Sequence, residues 1–364
     1  MAVRRVGLWA ALAVVIALAV VLSGWAALRP AKPPPSGAAS PPSSGAGQRL
    51  FAGLPARIAA GPNTPDLPAD LGVGRAAFIY TTDEPGFPIY VVAVDGTPYR
   101  VGVMPKQPAP ANVTLSPDGR WLIRQRGDRW IVRDLTSQVE HSVDGQQVPE
   151  AWSVDGRSLL WHEAAPPGQR GYHVMDTASG RMTKVAFTGP IEQTPVIMLN
   201  DHEIAAVDYI SFSRNETRFS VDIVDVRDGT RLRSTPVDLS AHLRPGERTV
   251  AYVIPLLYAS GSPTRLWTAV GVQAATPTPE VAPNMPVGVI GVDLASGRIL
   301  TRLDWSPPAR GEGTQLVGAV ADGAVLARLT NEGTEISIVS ETGERRVVTR
   351  LPVSSSVYPA GCSF

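Results

Sequence analysis

A chain of 364 residues with 33 basic and 33 acidic side chains carries no net charge, which argues against a nucleic-acid binder and against gross electrostatic steering. Only 18% of residues are charged and Gly and Pro contribute 34 each, a composition that suits many short strands joined by turns. The single cysteine, Cys362, excludes an internal disulfide and a cysteine-rich zinc site, and it lies far from the N-terminal apolar segment where a lipid-attachment cysteine would stand.

In chain order, a short tail of residues 1–5 leads into Val6–Leu28, a run without a charge. At helical rise this run spans roughly 34 Å, enough to cross a bilayer core. Trp9 and Trp25 stand near its ends, where indoles favour the membrane interface. A cleavable signal has an apolar core of only about 7–15 residues, so a retained anchor is expected, although Gly24-Trp25-Ala26 offers a weak cleavage site. Arg4 and Arg5 are balanced by Arg29 and Lys32, and the α-amino group tips the orientation toward the N-terminus inside. The expected location is the cell membrane, single-pass, with the rest of the chain outside the cytoplasm. Residues 29–47, rich in Pro and Ser, read as an extended stalk.

From residue 48 to 364 the patterns are strand-like, with no amphipathic helix of ten residues. Phe78-Ile79-Tyr80 is expected to pair with Ile89–Val94, and Trp121–Arg124 with Arg129–Leu135. Leu159–His162 is expected to pair with Tyr172–Met175, and Ile204–Ser213 with Arg218–Val226. Val250–Leu257, Leu266–Val272, Val287–Leu294, Val317–Leu329 and Glu335–Val339 complete the series.

Two turn motifs recur. Leu115-Ser116-Pro117-Asp118-Gly119-Arg120-Trp121 has an echo at Trp152-Ser153-Val154-Asp155-Gly156-Arg157, and such a period marks a repeated four-stranded unit. Asp176 precedes Gly180, Asp225 precedes Gly229 and Asp293 precedes Gly297, each after an apolar strand. Asp can bond its own downstream amides and Gly can take positive φ, so these are hairpin turns with a mechanism. Glu341-Thr342-Gly343 is a degenerate copy, Gln138 replaces the Gly in the second unit, and Thr276–Pro286 reads as an insertion. The expected fold is therefore all-β, a six-bladed β-propeller preceded by one transmembrane helix. Its blades fall at about 76–107, 108–148, 149–189, 190–245, 246–306 and 312–352. Seven blades result if residues 48–72 pair with 350–359, and in either case a terminal strand completes a blade begun at the other end.

The Ser-Pro-Asp-Gly-Arg-Trp segment resembles the PD40, or TolB-like, class of WD40-like propeller repeats. Leu115–Ile123 matches well and Ala151–Leu160 in part, while Asn200-Asp201-His202-Glu203 and Ala321-Asp322-Gly323 depart from it. Arg133 stands where a WD40 strand carries Trp. The resemblance implies the fold and no reaction, since propellers host binders and enzymes alike.

No Gly-x-Ser-x-Gly elbow, His-Glu-x-x-His or Cys-x-x-Cys occurs, so no catalytic, cofactor-binding or metal-binding residue is assigned and no cofactor is expected. His141, His162, His173, His202 and His242 are scattered and read as turn or half-exposed strand positions. Asp118, Asp155, Asp176, Asp225 and Asp293 read as turn caps, and Asp222, Asp225 and Asp228 lack the spacing of a calcium loop. Arg120, Arg124, Arg126, Arg129 and Arg133 gather near Trp121 and Trp130 and read as a solvated outer strand face rather than a platform for an anionic polymer. Asn112-Val113-Thr114 and Asn215-Glu216-Thr217 match a glycosylation sequon.

The expected function is a membrane-anchored, extracytoplasmic binding module for an envelope protein or cell-wall polymer. The alternative is a propeller enzyme, a lyase or glycan hydrolase, which predicts convergent His, Asp, Glu or Arg side chains at one mouth of the central channel. A small-ligand sensor is the third reading, and it needs a second chain to carry a signal.

Overall fold

The computed structural model describes residues 50–59, 61, 63–82, 86–103, 113–165, 170–185, 196–207, 217–249, 257–260, 264–273, 284–305, 313–320, 323–340, 342–351 and 355–360. The anchor and stalk at 6–28 and 29–47, both sequons' asparagines and Cys362 lie outside these residues. Among the described residues no helix is long and apolar enough to cross a membrane.

The strands form six antiparallel sheets in chain order. Blade 1 holds β1 (Ala76–Thr82), β2 (Pro88–Ala93) and β3 (Pro98–Val103). Blade 2 holds β4 (Val113–Leu115), β5 (Trp121–Arg126), β6 (Arg129–Asp134) and β7 (Glu140–Asp144). Blade 3 holds β8 (Gln147–Trp152), β9 (Ser158–Glu163), β10 (Tyr172–Asp176) and β11 (Met182–Val185). Blade 4 holds β12 (Val196–Met198), β13 (Glu203–Val207), β14 (Arg218–Asp225) and β15 (Arg231–Asp238). Blade 5 holds β16 (Glu247–Thr249), β17 (Leu257–Ser260), β18 (Arg265–Gln273), β19 (Asn284–Asp293) and β20 (Ile299–Asp304). Blade 6 holds β21 (Gly313–Val320), β22 (Gly323–Thr330), β23 (Gly333–Val339) and β24 (Arg345–Leu351). The last strand, β25 (Ser355–Pro359), returns to pair with β1 as the innermost strand of blade 1, with Ile79 opposite Tyr358.

Within a blade the strands run A to D from the channel outward. In blade 1 the middle strands, β1 and β2, are buried on both faces, which is why they read as continuous apolar runs. The expected pairings hold: Tyr80 faces Tyr90, Ile123 faces Val132, Leu160 faces Val174 and Ala205 faces Ile223. Two boundaries differ. The run 317–329 is two strands of one hairpin, β21 and β22, and Met285 and Pro286 belong to β19 opposite Val272 and Gly271, so the insertion ends before them. In blade 5 both β16 and β17 pair with β18, so its inner strand comes in two pieces.

Adjacent blades meet through apolar clusters. Trp121, Trp130, Trp152, Trp161 and Met175 join blades 2 and 3, and Tyr172, Val174, Met198 and Ile204 join blades 3 and 4. Trp161 is fully buried and meets Trp130 edge-on at 6.4 Å between centroids.

Residues 50–74 form a strap rather than part of a seventh blade. The strap bridges β24 at Arg57 and Arg350, then β3 at Asp66 and Arg100, both in parallel register. It then reaches blade 2, where the Val73 and Gly74 amides donate to the Leu135 carbonyl at 2.7 and 3.0 Å. Phe51 stacks on Phe78 at 6.2 Å. The strap therefore ties blades 6, 1 and 2 together, a second closure beside that made by β25.

Candidate functional site

The meander topology sends the A-to-B and C-to-D connections to one end of the propeller and the B-to-C and D-to-A connections to the other. The first end is a rim of uniform turns. In blade 2 the Ser116 hydroxyl donates to Asp118 Oδ1 at 2.6 Å and accepts from the Trp121 amide at 2.9 Å, while the Arg120 amide donates to Asp118 Oδ1 at 3.1 Å. Blade 3 repeats this with Ser153, Asp155, Arg157 and Ser158 at 2.7, 2.9 and 3.1 Å. Gly119 and Gly156 follow at φ +69° and +71°, the left-handed region the turn requires.

The C-to-D turns are equally regular. The Gly180, Gly229 and Gly297 amides donate to the carbonyls of Asp176, Asp225 and Asp293 at 2.9, 2.8 and 2.8 Å. Ser179 and Ser296 hydroxyls cap the Asp176 and Asp293 carboxylates. These bonds hold both carboxyls below the usual range. The two turn types are also tied to each other, because the residue after strand C donates its amide to the A-to-B turn. The pairs are Leu135 to Arg120, Thr177 to Arg157, Val226 to His202 and Leu294 to Thr264, all between 2.8 and 3.1 Å, and in blade 1, whose strand A is β25, Val94 donates instead to Arg75 just ahead of β1 at 2.9 Å. The recurring acidic residues are thus consumed in building this rim.

The opposite end is a rim of unequal loops. On the turn rim the connections run from two residues (321–322) to five (116–120). On the loop rim they run from two (127–128, 145–146, 331–332) to ten (186–195, 208–217, 274–283). Backbone that is not committed to a ladder or a repeated turn is where a rigid scaffold carries recognition groups.

One acid–histidine pair stands on this loop rim. β8 pairs with β9 at Pro149 and Trp161, then at Ala151 and Leu160, leaving Glu150 as the extra residue of a β-bulge. The bulge brings Glu150 Oε2 within 3.3 Å of His162 Nε2, the side chains being 32% and 11% exposed. The other ring nitrogen, Nδ1, donates to the Glu163 carbonyl at 2.9 Å, and the ring lies 6.2 Å from that of Tyr172. Burial pushes the Glu150 carboxyl above the usual range, and the nearby His162 and Arg170 pull it part of the way back. Sequence reasoning had His162 as one of five scattered histidines and did not single out Glu150, because only the bulge makes them neighbours.

The other histidines serve elsewhere. His141 Nε2 donates to the Thr177 carbonyl at 3.0 Å and its ring stacks on Trp121 at 5.8 Å. His202 meets Asp201 at 2.6 Å on the turn rim. Among the described residues no group of three His, Cys, Asp or Glu side chains is placed to hold a metal ion.

The arginine cluster is a solvated face only in part: Arg126 and Arg129 are exposed, and the others are not. Arg133 is 2% exposed and its guanidinium donates to the carbonyls of Pro68 and Leu71, anchoring the strap. Arg120 pairs with the buried Asp134 at 2.7 Å and lies 5.1 Å over the Trp121 ring. Arg129 bonds the Ser142 hydroxyl, and Arg124 donates to the Val101 carbonyl at 3.4 Å. Arg120, Arg124, Arg129 and Arg133 thus each find a carbonyl, hydroxyl or carboxylate partner within the fold. A separate open groove of about 600 Å³ lies between β15 and the C-to-D turn of blade 5, lined by Phe219, Val237, His242, Arg298 and the Arg218–Asp238 ion pair.

No protein-family model matches the chain, and no curated protein matches it. Among solved structures, its fold is similar to that of TolB from Acinetobacter baumannii, at 15% identity and TM-score 0.43 over 80% of this chain and 64% of that one. This chain therefore spans just under two thirds of that TolB. It is also similar to a putative TolB from Agrobacterium tumefaciens, at 10% identity and TM-score 0.38 over 80% of this chain and 99% of that one. An oligogalacturonate lyase from Vibrio parahaemolyticus shows 10% identity and TM-score 0.40 over 78% and 81%. The six-bladed assignment rests on the strand order of the sheets and not on these likenesses.

Proposed function

We propose that this chain is a tethered binding propeller that presents its loop rim to an envelope protein or a cell-wall polymer. The observation that carries this reading is the contrast between the rims: one is closed by repeated turn bonds, and the other carries connections of up to ten residues. In this reading residues 6–28 hold the chain in the membrane with its N-terminus inside, and residues 29–47 lift the propeller away from the surface. The PD40-type turns of blades 2 and 3 then serve the scaffold and not the ligand.

The test is to crosslink the full-length protein in intact native cells and identify what co-purifies. A reproducible partner is expected, and it is lost when the connections 186–195 and 208–217 are replaced by two-residue turns. A partner retained at full yield by that variant contradicts the reading. A second reading, the propeller enzyme, has one observation in its favour: Glu150 and His162 are placed to exchange a proton at the loop rim. Turnover of a glycan by the purified protein, abolished in Glu150→Gln, would establish it instead.

A further inference from the structure

We propose that Glu150 and His162 hold a single proton between them and form a proton-responsive contact on the loop rim between blades 3 and 4. The argument rests on hydrogen-bond valence. His162 Nδ1 faces the Glu163 carbonyl at 2.9 Å, and a carbonyl only accepts, so Nδ1 carries a proton. In the neutral ring Nε2 is then an acceptor. It faces Glu150 Oε2 at 3.3 Å, and an ionised carboxylate is also only an acceptor. The contact is satisfied when one further proton lies on either atom, so the two groups titrate as a unit.

The surroundings reinforce this. Glu150 sits in the bulge and is left out of the β8–β9 register, so its side-chain contact with β9 is the tie at that point. Tyr172 of β10 pairs with His162 in the sheet and packs beside its ring. Among the described residues the charged neighbours are few. Arg170, in the connection 164–171, pulls on Glu150, and the Glu163 carboxylate lies along Gly171. His173 and Lys184 pair with each other across β10 and β11 on the opposite face from Tyr172. From blade 4, β12 brings only Val196, Ile197 and Met198, and Glu203 of β13 lies at its turn-rim end.

The sign follows. The raised Glu150 carboxyl makes the protonated pair the favoured state, so its contribution is present at low pH and is lost as pH rises through the titration of the pair. Once the proton leaves, two acceptors face each other and the contact opens. A ligand or partner that engages this part of the rim is then bound with a proton linkage. The proposal does not depend on the binding reading, because it concerns the pair itself.

The test is a long-range proton–nitrogen NMR titration of the full-length, ¹⁵N-histidine-labelled protein in detergent. His162 is assigned by elimination with variants of His141, His173, His202 and His242. Two results are expected. The neutral His162 ring carries its proton on Nδ1, and the ring-nitrogen shifts of Glu150→Gln follow pH differently from those of the unsubstituted protein. A neutral ring protonated on Nε2, or an identical pH course in Glu150→Gln, overturns the proposal. The tautomer is read on the unsubstituted protein, so the test stands even if that variant fails to fold.

Discussion

The two rims of this propeller are built from the same strands and differ in how their backbone is used. On the turn rim, Ser116, Asp118 and Gly119 in blade 2 are matched atom for atom by Ser153, Asp155 and Gly156 in blade 3. The residue after strand C closes onto the A-to-B turn in blades 2, 3, 4 and 5. On the loop rim the connections differ in length: a two-residue turn at 145–146 stands next in sequence to β8, whose blade then carries the eight-residue connection 164–171. Repetition of side-chain bonds marks backbone that the fold requires.

The sharpest way to break this contrast is to make one substitution on both rims. A Cβ at Gly119 would stand 2.0 Å from the Ala76 carbonyl oxygen at φ +69°, whereas Gly127 in the β5–β6 turn has φ +64° and nothing within 4 Å. Gly119→Ala is expected to cost about 3–4 kcal/mol, since backbone must move, and Gly127→Ala only about 1–2 kcal/mol. Chemical denaturation of both variants checks the difference, and equal losses would refute the distinction.

Asp134 gives the next largest effect. Burial alone would raise its carboxyl, but bonds from Arg120, Thr136 and Ser137 overcome this and pull it down to about 2. Its folded value lies below the unfolded one, so its stabilisation is present above about pH 4 and lost as pH falls through about 2. Asp134→Asn is expected to cost about 2 kcal/mol at pH 7, with the gap from the parent protein closing toward pH 2. A gap that persists unchanged at low pH would assign the loss to packing instead.

Smaller still, Ser116→Ala should cost about 1–2 kcal/mol by leaving the Trp121 amide and Asp118 without their shared hydroxyl. Ser153→Ala should match it, and the double variant should depart from additivity because the two turns touch, Gly156 lying against Ser116 and Asp118. The smallest change is expected from the loop rim. Replacing residues 208–217 with a two-residue turn should alter stability by less than about 1 kcal/mol, as shortening a surface loop changes closure entropy only slowly. A loss comparable to that of Gly119→Ala would show that this connection belongs to the scaffold.

How much of this was legible in the sequence depended on where each strand sits in its blade. Strands B and C carry buried apolar runs in blades 1, 2 and 3, so β1 with β2, β5 with β6 and β9 with β10 were readable as apolar pairs. The outer strands were not, because they face solvent: β15 is Arg231-Leu232-Arg233-Ser234-Thr235 before its first apolar alternation, and β24 opens on Arg345-Arg346. The inner strands β4 and β12 have three residues each, too few for any period to show. The turns were readable because their chemistry is local, as the Asp225 and Asp293 caps show. The strap was not, since Arg133 meets Pro68 and Leu71 only in the folded chain. Glu150 stayed hidden for the same reason: a bulge is a property of pairing, not of composition.

The most direct measurement of the central claim is site-resolved photocrosslinking in native cells. A photoreactive residue would replace Asp128 or Glu332 on the loop rim, and Ser179 or Asp228 on the turn rim, all four exposed. The account predicts a discrete crosslinked partner from the loop-rim positions and none from the turn-rim positions. The same partner captured from Ser179 or Asp228, with nothing from Asp128 or Glu332, would contradict it.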